Sequence, residues 1–383
     1  MLLTGKLSKK LLQKNYLSFF YFKDVQLIHY IYQENSPFLY RMKISFKNDY
    51  SEGCHPDILQ NLVNTNSVQQ QGYGNDDYCR TAQDLLRKEF GAQQAQVFFV
   101  TGGTQANLLA AAAFLKPFES IIAAETGHIN TNETGAVEAT GHRINSVNSA
   151  DGKITIGQIE EVLALHTNIP HQVQPKLVYI SQATELGTVY TKHELQILRN
   201  FCDENSLFLF MDGARLAQAL ASDYSGLQPE DLGVLTDAFY FGGTKNGALL
   251  GEAVVINNQQ LQADFPFHMK QRGALLAKSR ILGIQFSTLM QNRLYYDLAK
   301  HANNQAFQIA EAFRKKGISF LAEPQSNQIF PVLSQQQIGD LSADFEFYVW
   351  KKIDHERSAI RLITSWATAP ENTSALIQKI DAL

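Results

Sequence analysis

The stretch Asp237-Ala-Phe-Tyr-Phe-Gly-Gly-Thr-Lys-Asn-Gly-Ala-Leu-Leu-Gly-Glu-Ala-Val-Val-Ile256 decides how this chain is read. An apolar, aromatic strand from Ala238 to Phe241 runs into two glycines, a threonine and one lysine. A second strand, Ala253 to Ile256, leaves on the far side. Lys245 is therefore held at the end of a buried strand, on a turn whose glycines let other groups approach the backbone. A desolvated lysine loses its proton more easily, and its free amine condenses with aldehydes.

The same texture extends upstream. Leu207-Phe-Leu-Phe-Met211 is a continuous apolar strand that ends at Asp212, and Lys176 to Ser181, Ile121 to Ala124 and Gln96 to Val100 are further short strands. Helices lie between them. Pro56 to Asn64 and Tyr78 to Phe90 carry apolar residues at helical spacing, and Thr155-Ile-Gly-Gln158 and Thr191-Lys-His-Glu194 are capping boxes that open two more. Apolar strands separated by helices predict an α/β fold with a mostly parallel sheet covered on both faces. After Ile256 the pattern changes. A helical region from about Lys270 to Lys316, broken near Gly283, precedes strands at Ile318 to Leu321, Gln328 to Leu333, Phe345 to Trp350 and Ala359 to Thr364, then a helix from Pro370. The expected organisation is a large domain over residues 42–283 and a smaller α+β domain over 284–383. Residues 1–41, basic and aromatic with the cluster Leu17-Ser-Phe-Phe-Tyr-Phe22, stand apart. They lack the cleavage site of a signal peptide and are expected to be a mis-assigned start or an appendage without catalytic role.

Composition narrows the function. The 383 residues carry a net charge of −4, which predicts no attraction to nucleic acid or membrane surfaces. Three cysteines without CxxC spacing fit a reducing, cytoplasmic setting and argue against a disulfide framework or a zinc site, so no metal is expected. The longest apolar run, Leu108 to Leu115, is too short to cross a bilayer.

Four further stretches carry chemistry. Thr101-Gly-Gly-Thr104 joins a strand to a helix, where exposed N–H groups and the helix dipole favour an anion such as phosphate. It is neither GxGxxG nor a P-loop. Glu125-Thr-Gly-His128 places a histidine after a strand, able to stack on an aromatic ring or move protons, with Glu133 near enough in sequence to orient it. Met211-Asp-Gly-Ala-Arg215 puts a carboxylate where a pyridinium nitrogen could pair with it, and an arginine fork three residues on. In Ser358-Ala-Ile-Arg-Leu-Ile-Thr-Ser-Trp366, Arg361 interrupts an apolar strand and must meet an anion, either a ligand or a carboxylate of the chain itself.

The order of these elements resembles the pyridoxal-phosphate enzymes of the aspartate-aminotransferase fold, and within them the low-specificity L-threonine aldolases. The resemblance runs from Ile44 to the C-terminus. It is carried by Tyr73-Gly-Asn-Asp76, Glu125-Thr-Gly-His128, Gln182-Ala-Thr-Glu-Leu-Gly-Thr-Val-Tyr190, Met211-Asp-Gly-Ala-Arg215 and Phe241-Gly-Gly-Thr-Lys-Asn-Gly247. It implies pyridoxal 5'-phosphate as cofactor, Lys245 as its Schiff-base lysine, Asp212 as partner of the ring nitrogen, His128 stacked on the ring, and Gly103 with Thr104 on the phosphate. Arg215, also among the cofactor-binding residues, and Arg361 would hold the substrate carboxylate, with Asn48 and Tyr73 as further substrate contacts. Lys270 and Arg272, in Lys270-Gln-Arg-Gly273, would reach a neighbouring subunit's site in a homotetramer of paired dimers. The family's opening strand motif has serine where this chain has Asn48. The implied reaction is cleavage of L-threonine or a related β-hydroxy-α-amino acid to glycine and an aldehyde. A β-eliminating lyase or an aminotransferase on the same fold is the nearest alternative, and a non-catalytic ligand-binding relative a more distant one.

Overall fold

The computed structural model describes residues 43–383; the extension over residues 1–41 lies outside the described residues. Seven strands form the central sheet: β1 (Gln96–Val100), β2 (Glu119–Ala124), β3 (Ile144–Val147), β4 (Gln174–Ser181), β5 (Phe208–Asp212), β6 (Ala238–Gly242) and β7 (Glu252–Ile256). Their order across the sheet is β1-β7-β6-β5-β4-β2-β3. The pairs β2–β3, β2–β4, β4–β5 and β5–β6 are parallel, and β7 alone runs against both its neighbours.

Alternation along each strand explains why both faces are covered. On β5, Leu209 and Met211 join one core while Phe210 joins the other. On β6, Phe239 and Phe241 face the first, Ala238 and Tyr240 the second, and β7 divides its residues the same way. Helix α1 (Asp77–Glu89) packs in the first core, with Phe90 edge-on to Phe239 and Phe241 at 4.9 and 5.1 Å between ring centres. Helix α2 (Gly103–Phe114), rich in alanine, fills the second. Both expected capping boxes form, at Thr155 with Gln158 and at Thr191 with Glu194.

Three expectations for the C-terminal part are corrected. Helix α3 (Arg280–Leu289) runs unbroken through Gly283, so the boundary drawn at 283/284 falls inside it. Gly283 is there for contact: a Cβ would lie 2.5 Å from the backbone nitrogen of Cys79 on α1, so only glycine lets the two helices approach this closely. The helical path breaks instead at Asn292 and Arg293, both at positive φ, before α4 (Leu294–Lys315). No strand forms over Ile318 to Leu321, where Phe320 makes a lone bridge to Pro331. That proline also divides Gln328 to Leu333 into β8 (Gln328–Ile329) and β9 (Val332–Ser334). With β10 (Tyr348–Lys352) and β11 (Arg357–Ile363) they make a small antiparallel sheet in which β11 pairs with all three. Among the described residues no helix is long and apolar enough to cross a membrane.

Candidate active site

In a parallel sheet the loops after the strands gather at one edge, which is where ligands enter. Here β1 ends before Thr101, β4 ends at Ser181, β5 at Asp212, and β6 turns into Gly243-Thr244-Lys245. These ends surround a cavity of about 680 Å³ whose lining includes Gly102, Gly103, Thr104, His128, Asp212, Arg215, Lys245 and Arg361. Seven expected site residues, with the neighbouring Gly102, thus meet in one place.

Asp212 closes the apolar strand β5 and is buried. One carboxylate oxygen accepts from the Tyr240 hydroxyl and from the Ala214 N–H, at 3.0 Å for the latter. The other accepts from the Tyr179 hydroxyl and from Asn107 Nδ2, at 3.0 Å for the latter. Burial pushes its pKa up, but attraction to His128 and these hydrogen bonds outweigh burial and hold it below the usual carboxylate range. Asn107 also donates to Glu133 Oε1 at 2.8 Å, and the same oxygen meets His128 Nδ1 at 2.8 Å. A polar chain therefore links His128, Glu133, Asn107 and Asp212.

Lys245 is half-buried on the cavity wall and engages in no ion pair among the described residues. Burial and the nearby Arg215 guanidinium lower its pKa against the pull of Asp49, Asp212 and Glu252. At the mouth of α2, Gly102 caps the helix without a side-chain hydrogen bond, and Gly102, Gly103 and Thr104 line the cavity. A Cβ on Gly103 would lie 2.8 Å from the Tyr240 hydroxyl, the one bonded to Asp212. The glycine is what lets this turn close over the aspartate.

The two arginines differ. Arg215 donates through Nε and Nη2 to the buried Asp49 at 2.7 and 3.0 Å, and Asn327 adds a bond to the same carboxylate at 2.9 Å. Much of its fork is thus committed inside the protein. Arg361 has no carboxylate partner among the described residues. Its guanidinium lies 5.2 Å from the Tyr348 ring centre and 4.7 Å from that of Trp350, and Nη2 reaches only the Lys47 carbonyl, at 3.4 Å. Nε is buried without a partner. Burial and repulsion from Arg215 lower its pKa. Among the described residues the salt bridge within the chain, one of the two alternatives for Arg361, does not form.

The structure does not bring four other expected residues, Asn48, Tyr73, Lys270 and Arg272, to the cavity. Asn48 lies beyond the short opening strand, in a turn where Oδ1 accepts from the Tyr50 N–H at 3.1 Å and the Ser51 hydroxyl at 2.9 Å. Its side-chain oxygen is thus engaged in capping its own loop. Tyr73 is half exposed at φ 60°, and Lys270 sits 4.6 Å from its ring centre, so these two pack on each other. Arg272 borders the Thr101–Thr104 turn of its own chain, bonded to His268 and Gln271.

Sequence reasoning missed Asn107, Tyr179, Tyr240, Glu185 and Glu252. Glu185 accepts from the His128 N–H at 2.9 Å and the Ser181 hydroxyl at 2.6 Å, which fixes the histidine's backbone. Glu252 had a readable signal, a carboxylate at the head of an apolar strand, the same kind of signal that exposed Arg361.

A family model described as beta-eliminating lyase matches residues 55–336. A low-specificity L-threonine aldolase of Pseudomonas aeruginosa is 33% identical over 341 residues, covering 88% of this chain and 96% of that protein. The solved structure of a Leishmania major threonine aldolase matches with a TM-score of 0.87 at 42% identity, covering 88% of this chain and 99% of that one. A Thermus thermophilus aspartate aminotransferase double mutant, 12% identical with a TM-score of 0.66 over 94% of each chain, shares the fold. By the length of the family match and the identity to its relatives, this chain belongs to the beta-eliminating lyase family, among the low-specificity L-threonine aldolases.

Proposed function

We propose that the protein is a pyridoxal-phosphate-dependent carbon–carbon lyase that cleaves L-threonine, and related β-hydroxy-α-amino acids, to glycine and an aldehyde. The observation that carries this reading is one cavity holding both a half-buried lysine free of ion pairs and, at a strand end, an aspartate held ionised. The residues fit the cofactor. An uncapped helix N-terminus with Gly103 and Thr104 suits a phosphate, Asp212 suits a protonated ring nitrogen, and Lys245 supplies an amine.

When bound, pyridoxal phosphate supplies an aldehyde for an amine and a ring that withdraws electrons from the substrate's Cα. The chain does the rest. Arg361 holds the substrate carboxylate, and Arg215, anchored by Asp49, adds positive charge beside it. Asp212 keeps a negative charge on the cavity wall. His128, oriented by Glu133, takes the β-hydroxyl proton as the Cα–Cβ bond breaks, and Lys245 returns a proton at Cα and completes the cycle.

Supplying the protein with pyridoxal phosphate and L-threonine tests the proposal: acetaldehyde and glycine should form in equal amounts. 2-Oxobutyrate and ammonia without glycine would indicate elimination, and amino transfer to a keto acid would indicate an aminotransferase.

Two substitutions probe the substrate end. Arg361→Ala is expected to raise KM for L-threonine with little change in kcat, because a carboxylate contact exists before and during the reaction. The loss in kcat/KM should correspond to roughly 1.5–3 kcal/mol, the worth of a charge-assisted hydrogen bond. An unchanged KM would remove Arg361 from substrate binding. Asn48→Ser should change kcat/KM by less than about tenfold, since serine can cap the same turn and one neutral hydrogen bond is at stake. A hundredfold loss would give Asn48 a dedicated role.

The reading also includes a cytoplasmic protein assembled as a homotetramer of paired dimers, with Lys270 and Arg272 facing a neighbouring subunit. The exposed Phe267 beside them supports an interface there. The small domain carrying Arg361 would begin at the helix break of Asn292 and Arg293.

A further inference from the structure

Glu252 is a buried carboxyl that the reaction above leaves without a task. It heads β7, paired across the sheet with Gly242 at the end of β6 and with Val100 at the end of β1. It therefore stands between the turn that carries Lys245 and the turn that carries Gly103 and Thr104. Only 4% of it is exposed, yet it helps line the same cavity as Lys245. Its Oε2 accepts the Gly243 N–H at 2.8 Å, so the carboxyl clasps the lysine's turn two residues before the lysine itself.

A carboxylate in so dry a position needs a cation nearby or a proton of its own. The groups that act on it are few. Lys245 attracts it, Asp212 on β5 repels it, Thr244 hydrogen-bonds to it, and the Tyr240 and Tyr295 hydroxyls feel its charge from β6 and α4. Arg215 and Asp49 act on the lysine in turn.

We propose that Glu252 is the proton-exchange partner of Lys245, a positioning residue that acts through the lysine's amine. When the ammonium gives up its proton, an Nζ–H bond breaks and an O–H bond forms on Glu252, with cavity water as relay. The transfer reverses when the amine is next displaced. Charge is conserved, since one positive and one negative group become two neutral ones. The inference rests on the role of Lys245 proposed above. The energetics agree with it. Burial pushes the carboxyl up to about 7, and burial lowers the lysine, so the two acidities converge and neither group titrates alone.

Glu252→Gln tests this, because the amide oxygen can still accept the Gly243 N–H while the charge and the proton are lost. In the full chain freed of cofactor, the pH dependence of Lys245 acylation by a small amine-reactive ester, read by peptide mass spectrometry, reports the amine directly. An ionised neighbour stabilises the ammonium, so its removal should lower the acylation midpoint by about one pH unit. In the loaded enzyme kcat should fall at least about tenfold with KM little changed, and the pH profile should shift with the midpoint. If the glutamine variant does not fold, Glu252→Asp carries the test, with a smaller shift in the same direction expected. An unmoved midpoint in the variant that folds would overturn the proposal. Substantial turnover by Lys245→Ala would instead overturn the reading beneath it, so the two failures are distinguishable.

Discussion

Lys245→Ala is expected to lower turnover of L-threonine by on the order of a thousandfold or more. Among the described residues Lys245 is the one lysine lining the cavity, so no other amine there takes its place. Its acidity is tuned by burial and by Arg215, and alanine removes the amine that the tuning serves. The fold should survive, since Lys245 makes no ion pair among the described residues and its turn is held by backbone bonds and by Glu252. Far-UV circular dichroism close to that of the unsubstituted protein, together with lost acetaldehyde formation, is the expected pairing. Turnover within tenfold of the unsubstituted protein would remove Lys245 from the chemistry.

Asp212→Asn should lower kcat by about a hundredfold or more, the scale of losing a fixed charge in a water-poor site. The carboxylate accepts four hydrogen bonds, from Tyr179, Tyr240, Asn107 and the Ala214 N–H. An asparagine offers one acceptor oxygen and turns an NH2 group towards donors. One or two of those donors then lack a partner in a buried place, which costs about 1–3 kcal/mol each. The variant should therefore melt at a lower temperature as well as turn over slowly. A kcat within threefold of the unsubstituted enzyme would mean that the charge on Asp212 is not used.

The central sheet was largely legible because its inner strands are apolar on both faces. Leu207 to Met211 and Ala238 to Phe241 can be little else when helical patterns flank them. The edge strand β3, Ile-Asn-Ser-Val, was not read, since an edge strand with one neighbour tolerates polar residues and loses its signature. Gly283 misled for a physical reason: a glycine inside a helix reads as a break, yet here it marks the crossing with Cys79. At the site, strand-end residues such as Asp212 and His128 declare themselves by position. Partners far apart in sequence do not. Nothing local shows that Asp49 will occupy Arg215 or that Tyr240 will meet Asp212.

The most direct test of the account is where the cofactor attaches. The full-length protein is incubated with pyridoxal phosphate, reduced with borohydride and digested, and the peptides are sequenced by mass spectrometry. The prediction is a visible absorption band that borohydride bleaches, with the pyridoxyl group recovered on the peptide containing Lys245. A band that resists bleaching, or a label spread over surface lysines with Lys245 unmodified, would contradict it.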